Sequence, residues 1–238
     1  MQWTSEAIIL KHQQFNDDKL LCWCFSATHG IYKGLISLNS KTRNQIQIGN
    51  IIQATWRARL EEHLGSYYCE LLKPLSMVII NDKLKLSSIL SLCSLLSSCL
   101  PERALEAKIY DNTISYLLSL KDHTNWLTDY IKLELSILQE MGYGLNLDEC
   151  GATGSKENLH YISPKTGRAI SREAGEAYHD KLFLLPKFLT KGTDPLPEDI
   201  INSLKITQYF IDKHFYKAHS KELPNSRFKF TELVSENF

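Results

Sequence analysis

Short apolar or alternating runs fill the first eighty residues of the chain. The runs TSEAIIL, LLCWCFSA, GIYKGLIS, IIQATWRAR and YYCELL are separated by Asp, Asn, Gly and Ser, residues that favour turns. About five strands in so short a stretch predict a small closed barrel, and the OB-fold is the commonest five-stranded form. We therefore expect residues 1–80 to form a β-barrel domain.

Beyond the barrel, the spacing of apolar residues changes to that of helices. Apolar side chains from Leu86 to Leu96 share one helical face, and Pro101 is placed to start a second helix. A third helix is expected from about Asn125 to Gly142. These helices belong to a mostly helical domain, which we assign to residues 81–142 and 183–220.

An irregular polar insert over residues 143–182 interrupts the helical domain. It contains the stretch YISPKTGRAIS, residues 161–171, whose Pro and Gly predict a tight turn between two short strands. The tail over residues 221–238 has the composition of a partly ordered segment. The predicted fold class is therefore α+β, an N-terminal five-stranded OB-fold barrel followed by a mostly helical domain with a hairpin-containing insert.

Charge is balanced overall but separated along the chain. Lys and Arg together number 27, as do Asp and Glu, so the formal net charge is zero. This balance argues against a protein that binds nucleic acid through a large overall positive charge. Residues 1–60 carry seven bases and three acids, whereas residues 121–180 carry six bases and ten acids. A nucleic-acid surface, if present, is expected at the basic N-terminal end.

The location suggested by the sequence is the reducing cytoplasm. Met1-Gln2-Trp3 leads directly into a strand pattern, no apolar run reaches the length of a membrane span, and the six cysteines show no paired framework. We expect a cytoplasmic protein that does not bind a membrane.

Neither metal chemistry nor catalysis is indicated by the motifs. A structural zinc needs about four closely spaced ligands, but the insert offers Cys150, His160 and His179 without a C-x-x-C pair. Cys22-x-Cys24 has no second pair, so these cysteines are expected in the core. The chain lacks the G-x-S-x-G, Walker and H-E-x-x-H motifs. We expect no metal, no cofactor and no enzymatic activity.

Basic residues interleaved with aromatic ones on the barrel strands indicate nucleic-acid binding. Cations can contact phosphates and aromatic rings can stack on bases, as a single-strand groove requires. The alternative, a solvated barrel face with aromatic residues in its core, stays open. The candidate DNA-binding residues are Lys33, Lys41, Arg43, Trp56, Arg57 and Arg59, with Tyr32 as a second candidate for stacking.

Segments along almost the whole chain resemble the RecO family of bacterial recombination mediators. They include WTSEAIIL, THGIYKGL, LPERALEAKIYDNTISYLLSL, GYGLNLDECGATG and YISPKTGRAIS, in the family's order. The resemblance implies binding and annealing of single- and double-stranded DNA in the RecF pathway. It also implies docking on the C-terminal tail of single-strand-binding protein and, with RecR, loading of RecA.

The chain departs from the family pattern at two places. Some members carry a four-cysteine zinc site in the insert, but only Cys150 remains here. The loop LISLNSKTRNQ is also less basic than in many relatives. We expect turn hydrogen bonds to replace the metal at the hairpin, and phosphate contacts by Lys165, Arg168 and Arg172 are the secondary possibility.

The acidic tail of a partner protein requires an apolar pocket lined by cations. Lys132 is the first candidate, because IKLELSIL matches the corresponding family segment, and Arg103 is the second candidate, placed at a helix start. The alternative to a DNA-binding mediator is a protein-only adaptor whose barrel binds partner proteins with little direct DNA contact.

Overall fold

The computed structural model describes residues 1–60, 62–121 and 124–238, except for the side chains of Ser40, Lys41 and Asn44. The chain forms two compact units. The first unit comprises Met1–His123 and Pro224–Phe230, and the second comprises Thr124–Leu223 and Thr231–Phe238. The helices between residues 83 and 119 thus belong to the same unit as the N-terminal strands, a division that differs from the domain limits expected above.

Five strands close into a barrel, as the sequence pattern predicts. Their order round the barrel is β1-β2-β3-β5-β4. Strands β3 and β5 pair in parallel, and the other neighbours are antiparallel. This arrangement confirms the OB-fold prediction. The strands are β1 (Gln2–Asn16), β2 (Lys19–Ser26), β3 (Gly30–Ser37), β4 (Ile51–Arg57) and β5 (Gly65–Lys73).

Every second side chain of the strands points into the barrel and packs there with its counterparts. Trp56 is fully buried at the centre of this cluster, which also contains Trp3 and Tyr67. A Cβ added at Gly65 would lie 2.2 Å from the indole of Trp56, so only glycine allows the strand to approach that ring.

Helices of the first unit begin with α1 (Ser40–Gln45), in a segment expected to be a polar loop. Asp82 caps α3, because its side chain accepts a hydrogen bond from the Lys85 amide at 3.0 Å. The second predicted helix does not start at Pro101, since residues 101–106 precede it as an irregular segment. The remaining helices are α2 (Leu75–Val78), α3 (Lys83–Cys99) and α4 (Ala107–Ser119).

The first helix of the second unit is α5 (Trp126–Glu140). Gly142 follows the end of this helix and has a positive φ of 83°, as is common after a helix C-terminus. The predicted hairpin is confirmed, and a third strand extends it to the order β7-β6-β8. The insert and the segment after it contain β6 (Leu159–Ile162), β7 (Ala169–Ser171), α6 (Arg172–Gly175), a 3-10 helix (Glu176–Lys181), β8 (Phe183–Leu184) and α7 (Phe188–Lys191).

The last long helix, α8 (Pro197–Ile211), packs against α5 and continues into a π-helical turn over Asp212–Tyr216. A short 3-10 turn, Lys217–His219, follows. The tail is more ordered than its composition indicates, because α9 (Asn225–Asn237) buries Phe230 and Val234. Among the helices that the structure describes, none is both long and apolar enough to cross a membrane.

Candidate nucleic-acid interface

Three side chains form a row across the outer face of strands β1, β2 and β3. Lys11 pairs in register with Trp23, and Trp23 pairs with Lys33 on the next strand. The ammonium groups of Lys11 and Lys33 lie 5.0 Å and 5.5 Å from the centre of the Trp23 ring. The Trp23 ring is half-buried, so an aromatic surface and two cations meet at one place on the barrel.

Further outward-facing residues lie on β5 and β4, farther round the closed barrel. Leu35 pairs with Ser66, and Ser66 pairs with Arg57, so Arg57 lies two strands from β3, about 10 Å across the sheet. Tyr68 follows Ser66 by two residues and is 64% exposed. We call the row of Lys11, Trp23 and Lys33 the basic strand face.

Two aromatic residues expected to stack on bases lie instead in the barrel core. Trp56 is 0% exposed and Tyr32 is 4% exposed. The indole Nε1 of Trp56 donates to the main-chain oxygen of Lys33 at 2.9 Å. The Tyr67 hydroxyl donates to the main-chain oxygen of Tyr32 at 3.1 Å. Neither ring is at the surface, so the assignment of Trp56 and Tyr32 as stacking platforms is corrected.

The remaining candidate cations named from the sequence are Lys41, Arg43, Arg57 and Arg59. Arg43 is exposed on α1, whereas the side chain of Lys41 lies outside the described part of the chain. Arg57 is the last residue of β4, and Arg59 lies in a bend beyond the end of that strand. Arg57 and Arg59 are both exposed. Arg57 also lines a shallow surface pocket with Gln2, Thr55, Ser66, Tyr67 and Tyr68.

In the hairpin 161–171, hydrogen bonds and an ion pair hold the turn in place. Lys213 donates from Nζ to the main-chain oxygens of Pro164 and Lys165, at 2.9 and 3.1 Å. Arg168 forms an ion pair with Glu149 at 2.6 Å, so its charge is already matched within the insert. Lys165 and Arg172 are exposed, and a phosphate contact by either of them remains a proposal.

The sulfur of Cys150, the remaining member of the family's cysteine set, is surrounded by hydrogen-bond donors. Burial raises the pKa of this thiol, but hydrogen bonds from Thr153, Ser171 and Ala152 outweigh burial and lower the pKa to about 6. The Ser171 amide lies 3.2 Å from the sulfur. Within the described residues, no three His, Cys, Asp or Glu side chains are grouped to hold a metal ion.

The two cations expected to bind an acidic partner tail, Lys132 and Arg103, lie in different surroundings. Lys132 is exposed on α5. Arg103 does not start a helix, since α4 begins at Ala107, and this premise of its assignment was wrong. Its guanidinium lies 5.2 Å from the centre of the Tyr32 ring, and its amide donates to the Ile31 oxygen at 2.9 Å.

Lys11 and Trp23, two members of the basic strand face, are not among the candidate residues named from the sequence. The signal for Trp23 is the run Leu20 to Phe25, where alternation places the tryptophan opposite to Cys22 and Cys24. Burial raises the pKa of Cys22 to about 12, as expected for an inward-facing thiol. Alternation separates the two faces of a strand but does not by itself say which face is covered.

Comparisons with known proteins match the chain along nearly its full length. The family model described as Recombination protein O N terminal matches residues 1–75, and the model described as Recombination protein O C terminal matches residues 80–224. A DNA repair protein RecO of Orientia tsutsugamushi (strain Ikeda) is 41% identical over 232 residues, covering 95% of each chain.

Two further relatives carry the same name. The DNA repair protein RecO of a Wolbachia from Drosophila simulans (strain wRi) is 37% identical and spans 95% of this chain and 98% of its own. That of Rhodospirillum centenum is 34% identical and spans 98% of this chain and 94% of its own.

Proposed function

The chain belongs to the RecO family of DNA repair proteins, and on that premise we propose that it is a non-enzymatic recombination mediator that binds DNA through the basic strand face. The observation that carries this proposal is the row of Lys11, Trp23 and Lys33 across three barrel strands. Cations beside a half-buried indole match the two needs of a single-strand groove, which are phosphate contacts and base stacking.

Pairing of two complementary strands requires no bond chemistry from the protein. The main barrier is repulsion between phosphates, and lysine and arginine side chains lower it by replacing condensed counterions. A surface that also stacks bases holds a single strand with its bases unpaired and accessible. The proposed activity is therefore binding of single- and double-stranded DNA and annealing of single strands.

Family membership supports a set of protein partners for the proposed activity. These are RecR, the acidic C-terminal tail of single-strand-binding protein, and RecA, which would be loaded indirectly. Lys132 is the residue we propose for the tail, because it is exposed on α5 and can meet a carboxylate without breaking a core contact. Arg103 is not part of this proposal, because it does not lie at the start of a helix.

A protein-only adaptor is the second candidate function, and two features favour it. The formal net charge is zero. Apolar side chains are also exposed beside the barrel, with Met77 at 62%, Val78 at 50% and Ile80 at 63%. Such side chains are typical of surfaces that bind other proteins. If the chain is such an adaptor, the barrel binds DNA weakly and binds its partner proteins normally.

Titration of a labelled single-stranded oligonucleotide over a salt series distinguishes the two functions. About four phosphate contacts predict a log–log slope near −3 for a single strand. Replacing Lys11 and Lys33 with Gln should flatten that slope by about 1.4, since each contact contributes about 0.7.

The matched control replaces Lys205 and Lys229 with Gln, which removes the same charge from exposed positions outside the barrel strands. A flat salt response of the unmodified protein would favour the adaptor. Equal losses in both double variants would mean that only total charge matters.

A further inference from the structure

Lys33, the cation at one end of the three-residue row, already has an anionic partner. Its Nζ lies 2.6 Å from Oε1 of Glu102, and the two side chains are 38% and 45% exposed. The same ammonium lies 5.5 Å from the centre of the Trp23 ring. A carboxylate thus holds the position at Lys33 that a DNA phosphate would take.

Main-chain contacts fix the segment that carries this carboxylate. Glu102 forms a parallel bridge with Ile31, and the amide of Arg103 donates to the Ile31 oxygen at 2.9 Å. A Cβ added at Gly30 would lie 1.9 Å from the main-chain oxygen of Ala104, so glycine allows this close approach. The segment is therefore attached to the first residues of β3.

Two consecutive side chains of this segment contact two consecutive residues of the strand. The guanidinium of Arg103 lies over the ring of Tyr32, and the carboxylate of Glu102 meets Lys33. Arg103 adopts a φ of 64°, in the left-handed region that non-glycine residues seldom occupy. This turn directly follows Glu102, whose carboxylate meets Lys33 at the surface.

We propose that Glu102 sets the DNA affinity of the basic strand face by competing with phosphate for Lys33. The inference rests on the proposed function and concerns the strength of binding at that same surface. Carboxylate and phosphate oxygens both accept charge-assisted hydrogen bonds from an ammonium group. Glu102 offsets the positive charge of Lys33 and its carboxylate repels a nearby phosphate, so the pair weakens the contact between Lys33 and DNA. An exposed ion pair is weak, and a bound strand can displace Glu102 reversibly.

Glu102→Gln in the full chain tests this competition, because it removes the charge and keeps the size of the side chain. A labelled thymidine homopolymer at low salt should bind about two- to fivefold more tightly, the factor that an exposed ion pair is worth. The gain should vanish when Glu102→Gln is combined with Lys33→Gln, since the competition acts through Lys33. Asp17→Asn, which removes the same charge from the turn between β1 and β2, is the control and should change binding less.

The outcomes separate this inference from the proposed function. If the double variant Lys11→Gln with Lys33→Gln leaves binding of the oligonucleotide unchanged, the basic strand face is not the DNA surface and both ideas fail. If only Lys33→Gln leaves binding unchanged, the competition at Lys33 is overturned and the proposed function stands. If Lys33→Gln weakens binding but Glu102→Gln has no effect, only the competition is overturned. A gain that persists in the Lys33→Gln background, or that Asp17→Asn reproduces, would reflect total charge and would also overturn the competition.

Discussion

The indole nitrogen of Trp56 donates a hydrogen bond to the main-chain oxygen of Lys33 across 2.9 Å. The donor is in the centre of the barrel, and the acceptor belongs to the residue whose side chain lies on the outer face. Trp56 therefore fixes the position of the strand that carries a proposed phosphate contact. Its role is structural, whereas Trp23 offers the half-buried ring on the outside.

Trp56→Phe should lower the free energy of unfolding by about 1–3 kcal/mol, because the Lys33 carbonyl would lose its donor inside the barrel. The measurement is urea denaturation followed by circular dichroism. Trp23→Phe is the control, since Trp23 is only half-buried, and it should cost less. Equal costs for both variants would contradict a special structural role for Trp56.

Trp23→Ala should weaken binding of single-stranded DNA by about 1–3 kcal/mol, the range for loss of one stacked base. The slope of affinity against salt should stay the same, since no charge is removed. Phe15→Ala removes another exposed ring, 53% exposed on β1, and serves as the control. Unchanged affinity in Trp23→Ala would remove the indole from the proposed interface.

Lys213→Met should destabilise the hairpin 161–171. Methionine keeps an apolar stem near Tyr209 and Phe210 but removes the donor to Pro164 and Lys165. We expect a loss of about 1–3 kcal/mol, as for hydrogen bonds from a charged donor. Hydrogen exchange should accelerate at the Gly167 amide, whose partner is the Ser163 oxygen.

The same substitution at Lys205, exposed on α8, is the control for this experiment. No change in exchange at the turn would mean that the turn's own hydrogen bonds suffice to hold it.

Cys150 should make stability depend on pH. Its folded-state pKa of about 6 lies below that of an unfolded cysteine, about 8.5. The thiolate therefore contributes stability that is fully present above about pH 8.5 and is lost as the pH falls through 6. The difference in unfolding free energy between the unmodified chain and Cys150→Ala should grow from pH 6 to 8.5.

Cys93→Ala provides the comparison, because burial raises the pKa of Cys93 to about 12 and its thiol stays protonated over that range. Its cost should be constant between pH 6 and about 7.5 and should fall slightly towards pH 8.5, where the unfolded thiol begins to ionise, which is opposite in sign to the change expected for Cys150→Ala. A constant difference for Cys150→Ala would show that the Cys150 sulfur is a neutral thiol.

Lys132→Glu should weaken binding of an acidic peptide that ends in a hydrophobic residue with a free carboxylate. Reversal of charge replaces attraction by repulsion, and we expect a loss of about tenfold or more. Binding of bare single-stranded DNA should remain nearly unchanged. Lys205→Glu is the control, and fluorescence anisotropy with both ligands is the measurement. Parallel losses of both activities would contradict a separate tail site at Lys132.

The barrel and the hairpin could be predicted because their signals are local. Alternating apolar residues define the strands, and Pro164 with Gly167 defines the turn, whatever the rest of the chain does. The start of the second helix could not be predicted in this way. Pro101 is a local helix-start signal, but Glu102 pairs with Ile31, about seventy residues earlier, and α4 begins only at Ala107.

The sequence by itself determined the fold class, the family and the basic character of the N-terminal end, because these depend on composition, periodicity and shared segments. The tertiary structure decided which rings and charges are available. Trp23 and Trp56 lie on strands with similar patterns, yet barrel closure buries one and leaves the other half-exposed. Lys33 meets Glu102 only because folding brings distant segments together, which no local pattern can encode.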